Sequence, residues 1–99
     1  MGKFQELIQS ENPVLVDFYA DWCGPCKAMA PVLSDVAKAV DGKARVVKIN
    51  IDTNQEASRA YGITGVPTFI VFKKGKILWR HSGMIDKNSL LKVLYQHAG

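Results

Sequence analysis

With 99 residues, 47% of them hydrophobic, the chain has material for one domain, spanning 1–99, and for no second core. The formal charge of +4 comes from lysines and arginines scattered between Lys3 and Lys92, and the densest group, Lys73-Lys74-Gly75-Lys76, reads as a turn, so the basic stripe that nucleic acid requires is missing. No stretch nears the ~18 uninterrupted apolar residues of a membrane span, and Met1-Gly2-Lys3-Phe4-Gln5-Glu6 lacks the apolar segment of a secretory signal; the expected setting is the cytoplasm, with no membrane partner.

Phe4, Leu7 and Ile8 recur at helical spacing between Lys3 and Gln9, and Asn12-Pro13 ends that helix, because proline disfavours helix in the residue before it. Val14-Leu15-Val16-Asp17-Phe18-Tyr19 is a β-branched and aromatic run, the pattern of a central strand covered on both faces, interrupted by one charge. From Cys23 to about Val40 the apolar positions Met29, Val32, Leu33, Val36, Ala37 and Val40 predict a helix, kinked at Pro31 and stopped by Asp41-Gly42. Arg45 to Ile51 reads as a second strand, and strand, helix and strand in this order imply a parallel βαβ unit. A weaker helix from Asn54 to Tyr61 closes at Gly62; Thr68 to Phe72 and Ile77 to His81 then form an antiparallel hairpin around the lysine-rich turn. Asp86 is a good N-cap for a last helix presenting Leu90, Leu91, Val93 and Leu94. The expected class is α/β, a small mixed sheet with helices on both faces.

Chemistry gathers at Trp22-Cys23-Gly24-Pro25-Cys26-Lys27, where the first strand passes into its helix, the end of an open α/β sheet at which reaction sites collect. A bridge between Cys23 and Cys26 closes too short a ring to staple the fold, and cytosolic thiols are kept reduced, so the pair is catalytic or metal-binding. A thiolate at Cys23 would gain from the free N–H groups and partial positive charge of a helix N-terminus. Pro25 falls early in the helix, where its missing N–H costs nothing. Cys26, one turn in, is expected to be the more shielded. These features make Cys23 the nucleophile toward a disulfide and Cys26 the resolving thiol. Zinc is the competing reading, because two cysteines at this spacing are half of a knuckle; but no second pair exists, and His81 and His97 stand much farther apart than the ~3–5 residues of paired histidine ligands. No metal and no bound cofactor are expected.

The motif resembles that of the thioredoxin family, and the likeness runs from about Phe4 to the C-terminus through Val16-Asp17-Phe18, Pro31, Asn50-Ile51-Asp52, Gly65-Val66-Pro67-Thr68 and Gly83. The resemblance implies the thioredoxin fold, protein-disulfide reduction, and recharging by a thioredoxin reductase that itself uses NADPH. Gly-Pro between the cysteines is typical of the reductants of the superfamily, whereas its oxidases and isomerases usually carry a His there. It makes Pro67 the family's cis-proline lying against the cysteines and Val66 a backbone contact for an extended substrate. It also makes Trp22, Gly65, Val66, Gly83 and Met84, beside Gly24 and Pro25, a substrate groove. Pro31 matches the family's helix kink. The chain departs from the pattern in two places. It begins almost at the first helix, so four strands are expected in place of five, with the first edge strand missing, and Tyr19 stands where bacterial members often have Trp.

Asp17 interrupts an apolar strand, where an unpaired carboxylate is costly, so burial should raise its pKa. Lys48, in the neighbouring predicted strand, is its expected partner, and the family has Asp and Lys at the matching positions. The functional reading makes Asp17 the proton acceptor for Cys26, tuned by Lys48; the plain one is a structural buried ion pair. The protein is expected to act as a monomer on disulfide-containing proteins. The competing expectation is a binding subunit of the same fold without essential redox activity, and a second is an oxidase or isomerase.

Overall fold

In the structure, a computed structural model describing residues 2–99, the proline and glycine punctuation of the sequence falls between elements. Met1, at the head of the expected 1–99 domain, lies outside the described residues. The elements are α1 (Gly2–Ile8), β1 (Val14–Tyr19), α2 (Gly24–Ala39), β2 (Arg45–Asn50), α3 (Gln55–Ala60), β3 (Thr68–Lys73), β4 (Lys76–Ser82) and α4 (Lys87–His97). Each expected segment is found, with ends moved by a residue or two. Cys23, Asn54 and Asp86 are the residues preceding α2, α3 and α4, and Asp86 caps by accepting the Ser89 N–H. α2 runs on through Pro31, whose ring removes one N–H donor from the helical ladder.

The four strands form one mixed sheet in the order β2-β1-β3-β4. β1 and β2 pair in parallel across α2, with Asp17 opposite Lys48, while β1–β3 and β3–β4 pair antiparallel. The four-stranded expectation holds for the described residues, and β2 and β4 are the edges.

Strand alternation sends neighbouring residues to opposite faces, and each face has its own core. Leu15, Phe69 and Val71 pack with Met29, Leu33 and Val36 of α2 and Leu90 and Leu94 of α4. Val14, Val16, Phe18, Ile70 and Phe72 pack with Phe4 and Ile8 of α1 and Ala57 of α3. The parity that points Leu15 toward α2 and α4 sends Asp17 and Tyr19 the same way, under the start of α2.

The β3–β4 turn is held by Lys74 and Gly75, both at positive φ (53° and 79°), the combination of a two-residue hairpin whose twist matches its strands. Its amides also reach the end of the first helix: Lys74 N–H donates to Ser10 O at 2.9 Å and Gly75 N–H to Ile8 O at 2.8 Å. Carbonyls that a helix C-terminus leaves without partners are thereby satisfied.

Candidate active site

The carboxyl ends of β1 and β2 lie side by side because the strands are parallel and in register, and Ile51 N–H donates to Tyr19 O to continue the pairing past the last ladder residue. Out of this end the chain turns through Ala20, Asp21 and Trp22 into α2. Cys23 has extended backbone (φ −92°, ψ 111°) and serves as the N-cap, its Sγ accepting the Cys26 N–H at 3.2 Å. A sulfur so placed faces the helix's unpaired N–H groups, an environment that favours negative charge on it. Pro25 occupies the first helical turn.

Cys23 and Cys26 are joined by a disulfide, their Cα atoms 5.3 Å apart, a separation within the ordinary range. The two are equally buried, Cys23 at 4% and Cys26 at 5% exposure, which corrects the expectation that Cys26 is the more shielded. The cause is the chain folded over Cys23: its Sγ lies 3.6 Å from Val66 O, and Val66 packs with Ala20, Cys23 and Cys26. What distinguishes the sulfurs in this oxidised state is therefore polarity. Cys23 holds the cap position, whereas Cys26 lines an open cavity of about 440 Å³ with Tyr19, Asp21, Lys27 and Lys48.

The Val66–Pro67 peptide is cis, as the resemblance implies. Thr68 Oγ1 donates to Gly65 O at 2.6 Å, and Gly83 N–H donates to Pro67 O at 2.8 Å, so the segment before β3 and the loop after β4 are tied together. Gly83 sits at φ 95°, a conformation that favours glycine. Trp22 and Met84 stand 69% and 55% exposed. The expected groove residues thus belong to three loops gathered at one end of the sheet. Trp22 does not swing freely, because its Nε1 donates to Asp52 Oδ2 at 3.0 Å. That anchor was not read from the sequence, although Asp52 lies two residues past the end of β2, which the parallel register sets beside the end of β1.

Asp17 is 1% exposed, and its Oδ1 has no hydrogen-bond partner. Burial pushes its carboxyl up from the ordinary 3.8 to about 6, against the opposing pull of the Lys48 charge. Asp17 and Lys48 are partners in register, but among the described residues they make no ion pair, which counts against the plain reading of a structural buried pair. Lys48 is exposed and its Nζ lies 4.6 Å from the centre of the Tyr19 ring. Bringing the exposed ammonium down onto the already buried carboxyl would strip the ammonium of its water, a cost that opposes the pair. Tyr19, marked in the sequence only as a departure from the family's Trp, thus lines the cavity beside Cys26. His81 stacks on Trp79 with ring centres 5.8 Å apart and contacts Met84 O at 3.2 Å. No group of three or more His, Cys, Asp or Glu able to hold a metal ion occurs among the described residues, and no helix there is long and apolar enough to cross a membrane.

The comparisons agree with this geometry. The family model described as thioredoxin matches residues 1–96. A thioredoxin of Pseudomonas aeruginosa is 44% identical over 90 residues, covering 91% of this chain and 83% of the relative. Thioredoxin 1 of Nostoc sp. is 43% identical over 93 residues, covering 94% and 87%. Among solved structures, a mutant thioredoxin from Halobacterium salinarum superposes with a TM-score of 0.91 at 35% identity, covering 100% of this chain and 86% of the other. With a disulfide across the motif at the N-terminus of α2, the chain belongs to the thioredoxin family and is a thiol–disulfide oxidoreductase of the protein-disulfide reductase type.

Proposed function

We propose that the 1–99 domain works as a cytoplasmic, monomeric carrier of reducing equivalents whose two sulfurs have fixed and different tasks. The Cys23 thiolate attacks one sulfur of a substrate protein's disulfide, and the other leaves as a thiolate that takes up a proton. Cys26 then attacks Cys23 of the mixed disulfide, giving the Cys23–Cys26 disulfide and releasing the second substrate thiol. Two electrons pass to the substrate, and the protein returns to its dithiol form at the expense of a thioredoxin reductase that draws on NADPH.

The observation that carries the division of labour is the cap itself, Cys23 Sγ accepting the Cys26 N–H at the head of a sixteen-residue helix. A thiolate is stabilised there and is the stronger candidate to start the exchange. Asp17, its carboxyl pushed up by burial to about 6, is suited to accept the Cys26 proton during resolution, with Lys48 tuning it. The groove of Trp22, Gly65, Val66, Pro67, Gly83 and Met84, adjoining Gly24 and Pro25, receives an extended stretch of the substrate. Exposed apolar surface at Trp22 and Met84 and the Val66 backbone beside Cys23 support that reading.

Insulin reduction with dithiothreitol tests the whole scheme. Acceleration over dithiothreitol alone, abolished by Cys23→Ser, is expected; no acceleration would refute it and leave a binding subunit. Cys26→Ser should still attack but accumulate mixed disulfide, and in the reduced protein Cys23 should alkylate near neutral pH much faster than Cys26. Comparable rates for the two thiols would contradict the assignment.

A further inference from the structure

The cavity beside Cys26 contains an arrangement the exchange chemistry does not by itself require. Tyr19, two residues beyond Asp17 on the same face of β1, lies under the Lys48 ammonium at 4.6 Å, while Lys48 is Asp17's register partner on β2. We propose that Tyr19 is a positioning residue for resolution: its ring holds the Lys48 ammonium at the cavity mouth, close enough to act on Asp17 yet not seated on it. This rests on the reading of Asp17 as proton acceptor. A carboxylate capped by an ion pair would have its oxygens occupied, whereas Asp17 Oδ1 is buried and without a partner, an acceptor left free to take up a proton.

The ammonium needs a holder because it has alternatives. Lys48 is exposed, so water competes for it, and Asp21 lines the same cavity as a competing anion. Attraction between an exposed ammonium and an aromatic face is worth about a two- to fivefold bias in where the ammonium resides. The other titratable groups facing Asp17 do not replace it. Cys26 and Lys27 of α2 and Asp21 of the turn before it line the cavity, and His81 of β4 lies on the same row of the sheet as Asp17, beyond Phe69. Lys48 is the cation adjacent in register, and the pull it exerts on Asp17 opposes that of burial.

The test is the titration of the Asp17 carboxyl carbon by NMR, with the pH profile of resolution from stopped-flow exchange. Tyr19→Phe keeps the ring and should keep the midpoint. Tyr19→Leu should raise the midpoint by at least about a third of the shift that Lys48→Met produces, and should add nothing in the Lys48→Met background. An unchanged or lowered midpoint in Tyr19→Leu, or a full shift in that background, overturns the proposal. In the unaltered protein, the Lys48 ε-methylene protons should resonate upfield of those of the other lysines through the ring current of Tyr19; resonance among the others overturns the proposal without any variant. If Asp17→Asn resolves as fast as the parent, the proton-acceptor reading falls, while the titrations still decide whether Tyr19 places Lys48.

Discussion

Replacing Asp17 by Asn should stabilise the oxidised protein at neutral pH and destabilise it in acid. The native carboxyl keeps its proton up to about pH 6, whereas in the unfolded chain it loses it near 3.8. Between those values the native state binds more protons than the unfolded state, so stability falls as pH rises through that window, and the whole cost stands above it. The gap, at about 1.4 kcal/mol for each pH unit, amounts to about 3 kcal/mol at pH 7. Asn carries no charge to bury, though its amide forfeits about 1–2 kcal/mol for want of partners, equally at both pH values. Urea unfolding of variant and parent at pH 3 and pH 7 checks this, because other titrating groups cancel in the difference. The variant's advantage should be about 3 kcal/mol larger at pH 7. An advantage that does not change with pH would refute the reasoning and remove the stored electrostatic strain that makes Asp17 a useful proton acceptor.

Three further outcomes follow from the packing. Phe4→Ala, which removes a ring in contact with Phe18, Tyr61 and Phe72 at centroid distances of 6.1, 5.4 and 5.8 Å, should cost about 3 kcal/mol in urea unfolding. Gly75→Ala places a Cβ at a φ of 79° and 2.6 Å from the Gln9 amide nitrogen; the side chain can give way but the backbone cannot, so a loss of about 1 kcal/mol is expected. Asp86→Ala removes the N-cap of α4, and because the bonds from Ser89 hold the Asp86 carboxyl below its usual range, the loss should be present at pH 7 and fade as pH falls through the carboxylate range. A pH-independent loss for Asp86→Ala would count against the cap.

Much of this architecture could be read in advance where a residue's role is set locally or by counting. Cys23 at the head of α2 and Pro25 in its first turn follow from rules for helix starts, and the adjacency of Asp17 and Lys48 follows from laying two parallel strands side by side. The cis peptide before Pro67 was accessible only through resemblance, because nothing local to Gly65-Val66-Pro67 forbids the trans form. The equal burial of the two cysteines depends on a segment more than forty residues away folding over Cys23, and spacing within the motif carries no trace of it. The path of the Lys48 side chain is a choice among water, Asp21, Asp17 and the Tyr19 ring, decided by differences in solvation that no strand pattern encodes. Trp22 and Asp52 meet only because two strand ends are level in space.

The hairpin turn has a use in observing the molecule. Amides in an exposed two-residue turn ordinarily exchange with solvent at once, but those of Lys74 and Gly75 are spent on the carbonyls of Ser10 and Ile8. α1 has only seven residues, too few to persist in water unaided, and is expected to break from the sheet before the strands separate from one another. Deuterium uptake at those two amides therefore times the detachment of the first helix, giving a clock for local opening at the end of the molecule remote from the sulfurs.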